Sequence, residues 1–167
     1  MFSMNSDKQS GFSLIELLTV VLIINILAAT AITFYIGLRD KSRRSVIIRT
    51  ASSATDEVNL WLQASLSPNR DNRDVDSNLD GKIDLADKTN EKLHEDGVAM
   101  TYANNRNDLG ESSPWFNADM WYFTVNKDDL PNGRISLIQV PTSKSRIRIV
   151  GKGKTGITLF ENNLSVD

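Results

Sequence analysis

Residues 11–38 read GFSLIELLTVVLIINILAATAITFYIGL. From Leu17 to Leu38 there are 22 residues without a formal charge, dominated by Leu, Ile, Val and Ala and interrupted only by Thr19, Asn25, Thr30, Thr33 and Gly37. About 20 residues at 1.5 Å rise cover the roughly 30 Å hydrocarbon core of a bilayer, so this segment is long enough to span one as a helix. A secretory signal peptide has an apolar region of about 7 to 15 residues ending at an A-x-A-like site, and this stretch outruns it. A buried core helix is the other reading, but a domain of this size could hardly cover such a helix on all sides.

The whole chain has 167 residues, 24% charged and 40% hydrophobic, with a net charge of −2. That allows one ordinary globular domain and excludes a large multidomain enzyme. There is no Cys, which excludes disulfides, thiolate catalysis and cysteine-based zinc or iron–sulfur sites. The single His94 leaves no histidine cluster and reads as an exposed polar residue. No nucleophile elbow or P-loop occurs, so the chain is expected not to be an enzyme. The near-neutral charge balance gives no indication of nucleic-acid binding.

Glu16 stands at the head of the apolar run. A carboxylate at membrane depth costs about 2.5 kcal/mol or more, so it belongs near the interface, protonated, or paired. No basic residue lies within a helical turn, and Lys8 is the nearest upstream. A chain cut just before Phe12 would place a new ammonium one turn from Glu16.

Residues 8–16, Lys-Gln-Ser-Gly-Phe-Ser-Leu-Ile-Glu, closely resemble the processing site of type IV prepilins and type II secretion prepseudopilins. The likeness continues through Leu17, Val20, Val21, Ile23, Ile24, Ile26, Leu27, Ala28 and Ala29 and covers the leader and first helix, roughly a third of the chain. In that family a membrane peptidase cuts after the Gly and methylates the new N-terminus. The resemblance implies that Gly11 ends the leader, that Phe12 becomes the methylated first residue, and that Glu16 acts in assembly by neutralising the Phe12 ammonium of a neighbour. Many pilins carry a Gly and a Pro that loosen this helix, where Asn25 and Thr33 stand here, so a straighter helix is expected. The basic cluster Arg39, Lys41, Arg43 and Arg44 after the span opposes the family's topology under the positive-inside rule, and the processing motif takes precedence because the leader must face its peptidase.

Beyond residue 38 the helix is expected to continue to about Ser67, where Pro68 stops it. Ile47, Ala51, Ala54, Val58 and Trp61 form one apolar stripe, with Arg43, Arg44, Arg49, Asp56, Glu57 and Gln63 largely off it. Four strands are predicted at Met120–Val125, Arg134–Val140, Arg146–Val150 and Gly156–Phe160, with breaks at Asn132-Gly133, Pro141 and Gly151–Gly153. The alternation Arg146-Ile147-Arg148-Ile149 puts the arginines on a wet face and the isoleucines toward the helix. The aromatic group Trp115, Phe116, Trp121, Tyr122 and Phe123 reads as core and subunit contact. The expected fold class is α+β, a pilin-like long N-terminal helix whose amphipathic half packs on a small antiparallel sheet. Residues 1–11 form the leader, 12–38 the membrane and filament-core half of the helix, 39–67 its amphipathic half, and 68–167 the globular head.

Residues 76–87, Asp-Ser-Asn-Leu-Asp-Gly-Lys-Ile-Asp-Leu-Ala-Asp, match the EF-hand loop template and also resemble dockerin-like loops, though only one copy is present. Asp76, Asn78, Asp80, Lys82 through its carbonyl, Asp84 and Asp87 are the candidate ligands of a single Ca²⁺. Gly81 permits the sharp turn and Ile83 is expected to anchor the loop to the core. Asp87 stands where the template has Glu. A solvated turn rich in Asp and Asn is the plainer reading. Residues 68–97 hold nine acidic against five basic residues, so without the ion the segment is expected to repel itself and stay mobile. Residues 127–154 hold seven basic against two acidic ones, and complementary faces of this kind are able to set register between stacked subunits.

The expected function is that of a pilin: a single-pass inner-membrane precursor processed by prepilin peptidase/methyltransferase, then drawn by inner-membrane assembly machinery into a helical filament of identical or related subunits. A surface type IV pilus and the periplasmic pseudopilus of a type II secretion system compete as destinations. The calcium loop and missing cysteines favour the pseudopilus, while the loop's place before the strands and the lack of a pseudopilin-like C-terminal signature do not. A membrane-anchored calcium-binding module that never polymerises is the remote alternative.

Overall fold

The computed structural model describes residues 11–140 and 142–166. Residues 1–10 of the expected leader, Lys8 included, and the expected break at Pro141 lie outside the described residues. The chain divides into two compact units, Met1–Lys41 and Ser42–Asp167, and the helix α1, Leu14–Leu66, contributes to both.

In the first unit α1 is uninterrupted, as expected for a segment without Pro, and its large apolar side chains from Leu14 to Leu38 are exposed. Its hydroxyls are satisfied locally. Thr19 donates to the Glu16 carbonyl at 2.9 Å, Thr30 to that of Leu27 at 2.9 Å, and Thr33 to that of Thr30 at 2.8 Å. A hydroxyl bonded to the preceding turn needs no water, which suits it to an apolar medium. The helix is long and apolar enough to cross a membrane.

In the second unit the expected stripe is the core. Ile47, Ala51, Ala54, Val58 and Trp61 are all buried, joined by Leu62. Two short helices follow that the sequence reading did not expect, α2 at Asn90–Asp96 and α3 at Val98–Asp108. Thr89 caps α2 by accepting the Lys92 N–H at 3.3 Å. Helix α3 buries Val98, Ala99, Tyr102 and Ala103, and packs against the first two strands.

The sheet comprises β1 (Trp121–Thr124), β2 (Ile135–Ile138), β3 (Arg146–Lys152) and β4 (Thr158–Ser165), in that spatial order. It is mixed. β2–β3 and β3–β4 are antiparallel, but β1 runs parallel to β2 with Trp121 opposite Ile135, which corrects the expected all-antiparallel sheet. The reason lies at Asn132-Gly133, read as a strand-to-strand turn: Gly133 instead bonds the Gly153 carbonyl at 3.1 Å, and residues 125–134 return the chain so that β2 starts beside the start of β1. β4 begins two residues later than expected and continues to Ser165, where Leu164 adds to the core's edge.

On β3 the alternation holds. Ile147 and Ile149 are buried, Arg146 is exposed, and Arg148 pairs with Glu161 at 2.9 Å. Gly151 continues the inward face, and a Cβ there would sit 2.7 Å from Ile47 Cγ2 and 3.8 Å from the Ala51 Cβ. The missing side chain is what lets α1 lie this close to the strand.

The aromatic group divides. Trp121 is buried, with Tyr102 edge-on between it and Trp61 at centroid distances of 5.3 and 5.2 Å. Trp115 and Phe123 pack on the core's margin, and Phe116 is exposed. The Tyr102 hydroxyl donates to Glu57 at 2.6 Å, Arg106 donates to that hydroxyl at 3.0 Å and pairs with both Glu57 and Glu111, and Trp121 Nε1 donates to Glu111. Burial, then the bond to Glu57, pushes the Tyr102 hydroxyl well above the usual tyrosine range. This chain of contacts ties α1 to α3 and β1.

Gly151→Ala is expected to lower stability by about 1–3 kcal/mol, because Ile47 is β-branched, fully buried and cannot swing away. Thermal denaturation of the full chain in detergent checks it, and an unchanged midpoint would show that the helix–strand spacing is not tight.

Candidate functional site

Gly11, Phe12 and Ser13 precede the helix in non-helical backbone. Gly11 is exposed with no described atom beyond its chain neighbours within 4 Å of a Cβ placed there, and Phe12 is 76% exposed.

Glu16 has a local partner that the sequence reading missed. Ser13 N–H donates to Glu16 Oε2 at 2.9 Å, and Glu16 N–H donates to Ser13 Oγ at 3.2 Å. This is a capping box, and the Ser-x-x-Glu spacing that signals it was open to inspection. It satisfies two of the orphan donors at the start of an apolar helix and places a carboxylate at the positive end of the helix dipole.

In the 76–87 loop, the acidic and amide side chains fold back on the loop's own backbone. Asp76 accepts the Gly81 N–H at 2.7 Å and the Asp80 N–H at 3.2 Å, Asn78 accepts the Asp80 N–H at 3.0 Å, and Asp80 accepts the Lys82 N–H at 2.9 Å. Gly81 takes φ +90° and Leu79 φ +62°, the left-handed conformations that wind the chain tightly enough to gather these groups. The loop's negative charge is thus met by N–H dipoles. Ile83 does not anchor it. Ile83 is exposed, and Leu79 is the residue packed on the core, a correction that follows from the tight winding at Leu79.

Asp87, the twelfth-position candidate, is buried. Its Oδ1 accepts N–H donors from Ser77 at 2.6 Å and Asn78 at 3.2 Å, and its Oδ2 accepts that of Asp84 at 2.8 Å. Burial acts to raise its pKa, but the bonds from Asp84, Asn78 and Ser77 outweigh it and hold the carboxyl below the usual range. Lys82 and Asp84 lie on the exposed side of the loop. The structure therefore gathers Asp76, Asn78 and Asp80, oxygen donors of the kind a hard cation takes, while Asp87 serves the loop backbone with both oxygens. Among the described residues no three acidic or histidine side chains are grouped as a ready metal centre.

His94 is half-buried rather than exposed, because α2 places it inward, and its Nδ1 is buried without a hydrogen-bond partner. Burial, then the charges of Lys144 and Arg70, lowers its pKa. Lys144 is held there by the His94 carbonyl at 2.7 Å.

The profile of the prokaryotic N-terminal methylation motif matches residues 6–32. This motif is the signature of type IV prepilins and pseudopilins and supports that class of prepilin-peptidase substrate, and the long helix on a small mixed sheet is a pilin-like α+β arrangement. The motif implies processing by that peptidase and assembly into a pilus-like filament, and with the apolar helix it fits a membrane-anchored precursor. No curated protein and no solved structure matches the chain.

The loop geometry separates two carboxylates of equal charge. With chelator present, Asp87→Ala is expected to cost about 1–3 kcal/mol by stripping the acceptor from the buried Ser77 N–H and from the part-buried N–H groups of Asn78 and Asp84, while Asp84→Ala, whose side chain is exposed, costs little. Melting curves of the two full-length variants check this, and equal midpoints would contradict the role given to Asp87.

Proposed function

We propose that this chain is a structural subunit of a type IV pilus-like filament and not an enzyme. The precursor is a single-pass inner-membrane protein, cut between Gly11 and Phe12 by prepilin peptidase, N-methylated at Phe12, and drawn by inner-membrane machinery into a helical stack of identical or related subunits. The observation that carries this reading is the methylation motif at residues 6–32. The exposed Gly11 and Phe12 and the bare apolar surface from Leu14 to Leu38 support it. Such a surface must be covered by lipid or by other copies of the same helix.

Glu16 pairs with the Phe12 ammonium of a neighbour during docking, because both charges are otherwise stranded in apolar surroundings. The 76–87 loop holds one Ca²⁺ through Asp76, Asn78, Asp80, the Lys82 carbonyl, Asp84 and Asp87. The template spacing and the bond from Gly81 N–H to Asp76 support the assignment. Binding by all six requires Asp87 to release backbone donors. The ion would then brace a head that has no cysteine to do so.

A pseudopilin of a type II secretion system is the alternative, favoured by the combination of a calcium-type loop and no cysteine. Intact mass and abundance in sheared and envelope fractions of native cells, with calcium present, decide between them. A chain starting at methylated Phe12 and abundant in the sheared fraction is expected. The same chain confined to the envelope would favour the pseudopilin, and an intact chain from Met1 would overturn both in favour of a plain membrane-anchored calcium module.

Glu16→Ala is expected to leave processing intact and abolish efficient assembly, whereas Glu16→Gln keeps an acceptor for the Ser13 N–H and still fails to assemble, because the charge is gone. Normal filament yield from Glu16→Gln would refute the pairing. For the loop, calcium at about 100 times its Kd is expected to stabilise the full chain by about 2.7 kcal/mol, an increment that Asp76→Ala removes.

A further inference from the structure

The second unit carries an apolar projection and an apolar depression of opposite charge. The projection is the exposed limb of the 76–87 loop. Leu85 is 85% exposed and Ile83 56% exposed, large apolar residues flanking Asp84, with the exposed Lys82 immediately before Ile83. The depression, a cavity of about 550 Å³, opens at the sheet end where β2, β3 and β4 meet. Ile138, Val140 and Leu164 contribute its apolar lining, and Lys127, Arg146 and Arg148 its charge.

Arg148 is already paired with Glu161, whereas Lys127 and Arg146 have no ion pair among the described residues. Among the described residues no acidic side chain lines the cavity. A site of this make-up fits an apolar side chain on an acidic segment, and Ile83-Asp84-Leu85 stands in a loop of four Asp and one Lys, Lys82, whose net charge is −3 and stays negative, −1, with one Ca²⁺ bound. Leu85, at its exposure, is not seated in its own chain's cavity. The complement must come from another molecule, and another copy of this chain presents it in every subunit.

We propose that the Ile83–Leu85 projection of one subunit docks into the Lys127/Arg146/Arg148 cavity of the next copy of this chain. The proposal rests on the filament reading above and adds to it the head contact that joins successive subunits. Projection and cavity are different surfaces of one chain, so the contact is heterologous and does not close on itself unless a rotation brings it round to a ring. Each new subunit presents a fresh projection and a fresh cavity, as a filament needs. Burying Leu85 and Ile83 supplies apolar attraction, and the opposed charges fix which surface meets which.

The absence of cysteine makes the test clean. Leu85→Cys and Ser165→Cys, the second residue lining the cavity and exposed, are introduced singly and together into the full-length chain in native cells, and the filament-bearing fractions are treated with a short bismaleimide. The double variant is expected to give a ladder of covalent multimers extending beyond dimer, with the single variants giving none. Abundant parent filaments without that ladder would overturn the contact and leave the filament reading intact. A parent chain that never polymerises overturns both. A cross-linked band containing one copy plus a different protein overturns the assignment of a second copy as occupant.

As a second readout, Leu85→Arg sets a cation against the basic rim and is expected to cut filament yield at least tenfold, with recovery on adding Arg146→Glu. The melting temperature of the unassembled Leu85→Arg chain should match the parent, because Leu85 is exposed. Parent-level filament yield from Leu85→Arg would overturn the proposal.

Discussion

A helix that leaves water must satisfy its own backbone, and this constraint governs α1 from its first residue. The carbonyls of the apolar run are used within the helix, the hydroxyls of Thr19, Thr30 and Thr33 bond back to the preceding turn, and two N-terminal donors are met by Ser13 and Glu16. With the polar accounts closed, side chains on every side of the segment are free to be apolar. Past Lys41 the same helix obeys a different rule. There only one stripe is buried, and the sheet and α3 are arranged around it.

The head solves a separate problem, which is to hold one side of a helix against a small sheet without a covalent staple. Two devices act together. Gly151 removes a side chain so that Ile47 and Ala51 approach the strand closely, and the Glu57, Tyr102, Arg106 and Glu111 network links α1 to α3, with Trp121 of β1 bonded at its end. The network is half-buried, so its ion pairs are shielded more than surface ones while some solvent still reaches the charges. Its contribution lies in geometry as much as in free energy.

What could be read from the sequence follows from how far each signal reaches along the chain. The apolar span, the stripe from Ile47 to Trp61 and the alternation at Arg146–Ile149 are repeated local patterns, and each is found where expected. The parallel pairing of β1 with β2 was not open to such a reading, because Asn132-Gly133 has the composition of a hairpin turn and only its bond to Gly153, from another part of the chain, redirects it. Helices α2 and α3 are short, and an acidic, polar surround masks the apolar positions Leu93, Val98, Ala99 and Tyr102. At the loop, spacing identified the groups that gather but not where their lone pairs go. Leu79 replaces Ile83 as the anchor because its positive φ turns the loop there, a backbone property that a Leu does not announce.

The capping box also bears on why a carboxylate belongs at position 16. Cutting after Gly11 leaves a positive charge on the residue immediately before Ser13, beside the N-terminal end of a helix whose dipole is itself positive there. In an apolar medium that juxtaposition would be costly. Glu16 is already held by the Ser13 N–H, so its charge is positioned before the ammonium exists. An oxygen engaged with Ser13 leaves Glu16 Oε1 as a second acceptor, and a carboxylate is able to serve both its own helix end and an incoming ammonium. The residue that caps the helix is then the same one that the proposed pairing with a neighbour uses.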